Sequence, residues 1–342
     1  GDSRSILGLY ASSDPYTQPI KKGDIIATIP WELIINPGIK YNERTFWSCD
    51  IFKNLASELR LGDDSFYSPY IRYLLSQPRT GLIPSDWSAA AQELLAQIVG
   101  KGTLPPFKRD WYHRADFEEE WIRQCHGSRE DEIERLAYYL VTTRDEDTLM
   151  IPVYDLANHV SDPDKLNTLS YKPKRVGDSF KLVASRDIAR GEQVTNSYNR
   201  CHPCSGTPDK DCSTYSHYGT PELLWRFGFV DDYPQTWRWT SSTGKGDESF
   251  DFCLDRHRGT KELEVWMPPT VHISQSAVDF LQREVKRLDE LSIKNSDDLK
   301  SRFVTNVHEW DTIWRYHNAL TSWGRRAPWL PHLVQCLGLR SL

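Results

Sequence analysis

Residues 155–159 of this chain read DLANH, and residues 191–198 read GEQVTNSY. Two shorter runs follow, ELL at 222–224 and FGF at 227–229. Each run is ordinary by itself, because an Asn-His pair arises often by chance and a Gly-Glu turn before a strand is common hairpin chemistry. Their order along the chain is what predicts the fold.

Composition limits the class of protein. The chain has 342 residues, of which 39% are hydrophobic and 26% charged, and a formal net charge of −6. These values are typical of a globular protein with a sizeable core. A net acidic chain lacks the basic surface of a non-specific nucleic-acid binder, so we expect no nucleic-acid partner. No apolar run has the length of a membrane span, so we also expect no membrane partner.

Seven cysteines are an odd number in a chain too large to need disulfide staples. This favours reduced thiols and an intracellular protein, cytoplasmic by first preference, with plastid and nucleus as alternatives. Cys201, Cys204 and Cys212, with His202 and His217 nearby, could form a zinc knuckle. A second well-spaced pair is missing, so we predict no metal and take these as solvent-facing or disulfide-linked loop cysteines. The chain starts at Gly1 without Met, so we expect any targeting segment to lie outside it.

Hydrophobic spacing predicts the elements. Short β-branched runs between Gly and Pro predict strands over 25–29, 33–35, 150–153, 180–184 and 193–197. In the part of the chain between the predicted strand at 33–35 and the one at 150–153, apolar residues recur at helical spacing, which predicts helices. Residues 20–24, IKKGD, echo residues 188–192, IARGE, which predicts two similar turns with Gly23 and Gly191 at positive φ.

One predicted helix carries a cation on its apolar face. Ser128 and Asp131 form a capping pattern that predicts its start, and Arg144 falls one turn after Leu140. The simpler reading of Arg144 is a helix-end cation facing the carbonyl dipole. An inward-facing arginine otherwise needs an anionic partner, and a ligand carboxylate would serve.

Beyond residue 235 the pattern is helical again. Ser276 and Ser296 are predicted helix starts, and Gly244 to Gly246 is predicted to be a flexible loop. These features predict a separate helical module.

The whole pattern resembles the Rubisco large-subunit methyltransferase-like branch of SET-domain proteins, which includes the actin-histidine methyltransferase subfamily. The matching segments are Gly8 to Ala11, Tyr67 to Leu75 with Pro84 and Trp87, Thr143 and Arg144, Asp155 to His159, Tyr198, and Phe227 to Phe229. The resemblance implies an α+β fold: a SET-domain β-fold with a helical insert, plus a carboxyl-terminal all-α substrate-binding domain. The implied segments are 1–40 and 138–233 for the SET domain, 41–137 for the insert, and 234–342 for the substrate-binding domain.

The resemblance also implies S-adenosylmethionine as the cofactor, with S-adenosylhomocysteine as the product. The residues expected to bind the cofactor are Gly8, Leu9, Tyr10, Arg144, Asp155, Asn158, His159 and Phe229. Tyr198 matches the active-site tyrosine, with Tyr215 and Tyr218 as competitors because extra residues follow it. The residues expected at the substrate side chain are Arg144, Asp155, Tyr171 and Phe227. Taken singly, Phe229 also fits a core position, Asp155 a cap, and His159 a satisfied core histidine.

We therefore expect a monomeric protein-lysine methyltransferase acting on a non-histone protein or peptide. Histidine is the alternative acceptor, but the histidine-modifying subfamily has an Asn two residues after the arginine, where this chain has Glu146. The alternative from another class is a catalytically idle SET module that binds a partner through its helical tail.

Overall fold

A computed structural model describes residues 8–38, 41, 48–77, 83–99, 114–198, 219–242, 247–256, 263–266, 279, 282–291 and 307–325. The chain divides into two compact units. The first comprises Gly1–Leu82 and Tyr112–Tyr198, and the second Ile83–Trp111 and Asn199–Leu342. In the described part of the chain, no helix has both the length and the apolar character needed to cross a membrane.

The helices and strands have the following bounds. The helices are α1 (Cys49–Leu61), α2 (Ser68–Leu75), α3 (Ala89–Val99), α4 (Arg114–Cys125), α5 (Glu132–Arg144), α6 (Thr220–Phe227), α7 (282–291) and α8 (Val307–Arg325). The strands are β1 (Ile25–Ile29), β2 (Asn158–His159), β3 (Thr168–Tyr171), β4 (Phe180–Ala184), β5 (Thr195–Asn196), β6 (Gln235–Ser242), β7 (Asp247–Arg256) and β8 (Leu263–Trp266). Tyr154–Leu156 forms one turn of 3₁₀ helix.

The first unit contains two small sheets. In one, β1, β4 and β3 are antiparallel in that order, with Ile29 opposite Phe180 and Thr168 opposite Ala184. In the other, β2 and β5 run parallel. The predicted strands over 25–29 and 180–184 are confirmed. Phe180, Leu182 and Ala184 are all buried, as the alternation required.

Two other predicted strands are wrong. Residues 31–33 form a 3₁₀ turn, and the segments 33–35 and 150–153 meet only at a single bridge between Ile35 and Met150. Both residues are buried. The apolar character of these segments therefore reflects their place in the core and does not indicate paired strands.

The two echoing turns are confirmed and face each other. Gly23 has φ +90 and Gly191 has φ +72, a region that favours glycine. Ile20 and Ile188 pair across an antiparallel bridge. The repeated pattern therefore marks two turns that lie side by side.

Helix α5 begins three residues later than predicted. Its N-cap is Asp131, whose carboxylate accepts hydrogen bonds from the backbone N–H groups of Ile133 and Glu134. Ser128 precedes this cap, and its hydroxyl accepts from the Asp131 N–H. A carboxylate with two backbone donors is the stronger cap, so the helix starts there.

Cys49 and Cys125 form a disulfide between the start of α1 and the end of α4. The prediction of reduced thiols is therefore wrong for this pair. The helices bring the two Cα atoms to 5.0 Å although 76 residues separate them in sequence. That distance lies within the range that a disulfide bridges.

The second unit contains a three-stranded antiparallel sheet in the order β6, β7, β8. The prediction that residues 234–342 are all α-helical is thus wrong. Large apolar residues recur at every second position in 236–240 and 250–254, namely Trp237 and Trp239, then Phe250, Phe252 and Leu254, which is the period of a strand. Trp237 and Leu254 are buried with Ile313 and Tyr316 of α8 in one core. The predicted helix starts at Ser276 and Ser296 and the predicted loop at Gly244 to Gly246 lie outside the described residues.

Candidate active site

The parallel pair of β2 and β5 brings the two sequence motifs together. Asn158 lies opposite Thr195 and His159 opposite Asn196. The N–H of Val160 extends this pairing by donating to the Asn196 carbonyl at 2.9 Å. Because Tyr198 follows two residues after β5, the strand pair sets it beside His159. Their ring centroids are 5.3 Å apart.

His159 holds the backbone of Tyr198. Its Nδ1 accepts a hydrogen bond from the Tyr198 N–H at 3.0 Å, and its Nε2 lies 2.8 Å from the Ser161 hydroxyl. An Nδ1 that accepts requires the proton on Nε2, which then donates to Ser161. Burial lowers the pKa of His159 to about 3. The imidazole is therefore neutral at physiological pH and has one tautomer.

Tyr198 is a buried phenol. Its hydroxyl donates to the Ala157 carbonyl at 3.1 Å. Burial raises its pKa well above the ordinary value, while the charges of Arg144 and Asp155 act on it in opposite directions. The group therefore stays protonated at neutral pH and can donate or accept hydrogen bonds without ionising.

Arg144 and Asp155 form an ion pair in the same place. Arg144 Nη1 lies 3.3 Å from Asp155 Oδ2, with the arginine side chain 20% exposed and the aspartate side chain fully buried. Burial raises the pKa of Asp155, and Arg144 opposes that shift. The anionic partner that Arg144 was expected to need is thus Asp155, a residue of this chain.

Three side chains from α2 and the residues after it complete this cluster, and sequence reasoning gave none of them a role. The Tyr70 hydroxyl donates to Asp155 Oδ2 at 3.0 Å. Arg144 donates to the Tyr73 hydroxyl at 3.0 Å and to Gln77 Oε1 at 3.1 Å. The spacing of Tyr70 and Tyr73 was the available signal, because residues three apart share a helix face.

One atom of this cluster is left over. Among the described residues, Asp155 Oδ1 is buried and has no hydrogen-bond partner. A buried carboxylate oxygen without a donor is costly, so such an atom points to a group that the site receives.

The segment from Gly8 to Ala11 lies against the other motif strand. The Leu9 N–H donates to the Leu156 carbonyl, and Leu9 accepts from the Val194 N–H at 2.7 Å. Tyr10 pairs with Gln193 in an antiparallel bridge. A methyl group on the Gly8 α-carbon would lie only 2.6 Å from Gln193 Nε2 and 2.7 Å from Asn158 Nδ2. A side chain at position 8 would therefore displace the amide ends of Gln193 and Asn158.

A second polar cluster lies next to the first and includes Glu146. The Tyr154 hydroxyl donates to Glu146 Oε2 at 2.9 Å and accepts from the Asn196 side-chain amide. Lys172 forms ion pairs with both Glu146 and Asp147. Glu146, which the sequence suggested as a mark of acceptor choice, is thus engaged in holding α5, β3 and β5 together.

The structure does not add Tyr171, Phe227 or Phe229 to this cluster. Tyr171 is at the end of β3, opposite Lys181, and is 55% exposed. Phe227 and Phe229 belong to the second unit, where both are half-buried and their ring centroids are 6.2 Å apart. Their roles toward cofactor and substrate stay predictions.

The donors present suit a cofactor with an amino-acid part better than a metal. Neutral amides and backbone groups surround Gly8, and they match carboxylate and hydroxyl oxygens. Within the described ranges, no group of three His, Cys, Asp or Glu side chains could hold a metal ion. Cys201, Cys204, Cys212, Tyr215 and Tyr218 lie outside these ranges.

Comparison with known families gives one match. The family model described as "SET domain" matches residues 16–199, more than half of the chain. No curated protein matches the chain.

Proposed function

The chain belongs to the SET-domain family, a family of protein methyltransferases, and from that premise we propose that it transfers a methyl group from S-adenosylmethionine to a lysine side chain of a protein or peptide. Tyr198 lies at the proposed transfer centre. The observation that carries the proposal is the buried His159, which holds the Tyr198 backbone, while the Tyr198 hydroxyl bonds to the Ala157 carbonyl and its pKa responds to the charges of Arg144 and Asp155.

The chemistry needs positioning more than acid-base catalysis. S-adenosylmethionine, when bound, supplies a methyl group on a positively charged sulfur. The protein must align a nucleophilic nitrogen with that methyl group and exclude water. Tyr198, as an un-ionised phenol whose hydroxyl is fixed by Ala157, can orient the incoming nitrogen. This is the role we assign to it.

A lysine acceptor must be neutral to react. At neutral pH, removing its proton costs on the order of 4 kcal/mol, because its ordinary pKa is about 10.4. A desolvated site lowers that pKa, so a strong general base is not required. Tyr70, Tyr73 and Tyr198 supply aromatic surface that suits the apolar stem of lysine, which supports lysine as the acceptor.

Histidine is the second candidate acceptor, and one observation favours it. The unpartnered Asp155 Oδ1 can accept the N–H of an imidazole and leave the other ring nitrogen as the nucleophile. Next to a lysine ammonium, the same carboxylate raises the amine pKa and opposes its deprotonation. The two acceptors therefore make different demands on Asp155.

The cofactor assignments change in one respect. Gly8 and Tyr10 are proposed to offer backbone, with Asn158 beside Gly8 and His159 next to it in sequence, as the family resemblance implies, whereas the backbone N–H and carbonyl of Leu9 are engaged by Leu156 and Val194. Arg144 is engaged by Asp155, Tyr73 and Gln77. We therefore assign it to orienting Asp155 and not to the cofactor carboxylate. Phe229 is proposed to pack on the adenine.

Labelled methyl transfer tests the proposed activity. The purified protein is incubated with S-adenosylmethionine labelled in its methyl group and with a cell lysate, and labelled proteins are hydrolysed in acid to separate methyl-lysine from methyl-histidine. We expect label in methyl-lysine. The Tyr198→Phe variant should bind the cofactor normally but transfer roughly a hundredfold more slowly, the cost of losing one well-placed hydrogen-bonding group. A folded wild type that labels nothing would support the idle SET module instead.

A further inference from the structure

Gln193 carries a buried side-chain nitrogen that the fold does not use. Its Nε2 has no hydrogen-bond partner among the described residues. The backbone of the same residue is engaged, since its carbonyl accepts from Asn167 Nδ2 at 2.8 Å and the residue pairs with Tyr10. These backbone contacts therefore fix Gln193 in place while the donors of its side-chain amide stay unsatisfied. A buried donor without an acceptor costs free energy, which indicates that a ligand completes it.

The position of this nitrogen identifies the ligand group. A methyl group placed on Gly8 would lie 2.6 Å from Gln193 Nε2 and 2.7 Å from Asn158 Nδ2. Two side-chain amide nitrogens thus converge on the α-carbon of Gly8. Both are neutral donors, and neutral donors suit oxygen acceptors and not an ammonium group. A carboxylate is the acceptor that benefits most, because hydrogen bonds to a charged group are the stronger ones.

The usual cationic partner for a carboxylate is already engaged. Arg144 donates to Asp155, Tyr73 and Gln77, and its guanidinium lies over the Tyr73 ring at 5.3 Å. Its charge is balanced by the buried Asp155 carboxylate. Arg144 is therefore committed to partners within the first unit, and neutral donors of the described residues are left for an α-carboxylate.

We propose that Gln193 is a further cofactor-binding residue, and that its side-chain amide, together with that of Asn158, donates to the α-carboxylate of the amino-acid part of S-adenosylmethionine. This inference rests on the proposed function, because it assigns a role toward the same cofactor. Gln193 is a binding residue and takes no part in the transfer itself.

Calorimetric titration with two ligands tests the assignment. S-adenosylhomocysteine has the carboxylate, whereas 5′-methylthioadenosine has the same adenine and ribose without the amino-acid part. In Gln193→Met, which keeps the side-chain length but removes the donor, we expect S-adenosylhomocysteine to bind roughly tenfold more weakly or worse. In Gln193→Glu, repulsion between two carboxylates should weaken it further. Neither change should alter binding of 5′-methylthioadenosine.

Gln124→Met is the matched control, because Gln124 is an exposed glutamine on α4 in the same unit. It should leave both affinities unchanged. Unchanged S-adenosylhomocysteine binding in both Gln193 variants, or equal weakening of the two ligands, would overturn the inference while leaving the proposed function standing. A folded wild type that binds neither ligand would overturn the proposed function and this inference with it.

Discussion

Two polar clusters of the first unit differ in how completely they are satisfied. Around Tyr154, the side chains of Glu146, Lys172 and Asn196 all have partners. Around Tyr198 and the adjoining Gly8 segment, two buried atoms have none among the described residues, Asp155 Oδ1 and Gln193 Nε2. The first cluster joins elements of the fold to one another. The second leaves one acceptor and one donor unsatisfied.

We therefore expect substitutions in the first cluster to lower stability and substitutions in the second to lower binding. A satisfied buried network is destabilised by the loss of any member, because the remaining groups are left unpaired. An unsatisfied site already carries that cost, so a change there disturbs binding more than folding. Four variants, two control variants and a comparison of two pH values probe the contrast, from the largest expected effect on stability to the smallest.

The largest loss is expected from Lys172→Met in the satisfied cluster. It leaves Glu146 and Asp147 without their cation, and these side chains are only 16% and 5% exposed. The free energy of unfolding should fall by about 3 kcal/mol, measured by urea denaturation, with cofactor affinity unchanged. Lys165→Met removes the exposed pair with Asp162 and should cost less than about 1 kcal/mol. Equal losses in the two variants would contradict the contrast.

Acid should destabilise the fold through His159. Its folded pKa of about 3 lies below the ordinary 6.5, so the unfolded chain binds more protons between these values and stability falls as the pH drops below 6.5. At pH 5 the loss should be about 2 kcal/mol relative to pH 7.5. Urea denaturation at both pH values measures it.

The His159→Asn variant isolates this contribution. The asparagine oxygen can still accept from the Tyr198 N–H, but it does not titrate. Asp155, whose raised pKa contributes with the opposite sign, is present in both proteins and cancels in the difference. A variant with the same loss at pH 5 as the wild type would show that His159 is not the buried neutral group.

Asp155→Asn should cost less stability than Lys172→Met, because the hydrogen bonds are kept, but much activity. Asparagine keeps an oxygen acceptor for Tyr70 and Arg144, and its nitrogen replaces the unpartnered Oδ1. Because the partly buried Arg144 loses its counter-charge, we expect a loss of about 2 kcal/mol in unfolding free energy and at least a tenfold slower methyl transfer, measured with labelled cofactor. If stability falls by as much as in Lys172→Met while transfer is normal, Asp155 has a structural role and no role in methyl transfer.

The smallest effect is a gain from Val153→Gly. Val153 precedes the 3₁₀ turn that carries Asp155, and its φ is +70, a region in which a β-branched residue is strained. Relief of that strain should exceed the entropy cost of glycine and raise stability by about 1 kcal/mol. Val176→Gly is the control: Val176 is equally exposed and has no positive φ, so its replacement should lower stability.

The sequence predicted the strands and turns whose form depends on residues close together in the chain. Alternation located β4, and glycine placement located the turns at Gly23 and Gly191. The disulfide was missed because residues 76 apart carry no spacing signal. The sheet from 235 to 266 was missed because its alternation was overlooked beside the helical periodicity further on.

The same limit applies to the site. The order of the motifs placed Asn158, His159 and Tyr198 together, and β2 and β5 do so. The partners Tyr70, Tyr73 and Gln77 were not predicted, because contacts between α2 and the end of α5 depend on packing. The roles of Gln193 and Glu146 depend on which of their atoms have partners, and no sequence pattern records that.

Calorimetric titration of the wild-type protein with S-adenosylmethionine tests the central claim most directly. The account predicts saturable binding of one cofactor per chain, lost in Asn158→Ala and retained in Tyr198→Phe. A protein that is folded by circular dichroism and gives no binding heat would contradict it.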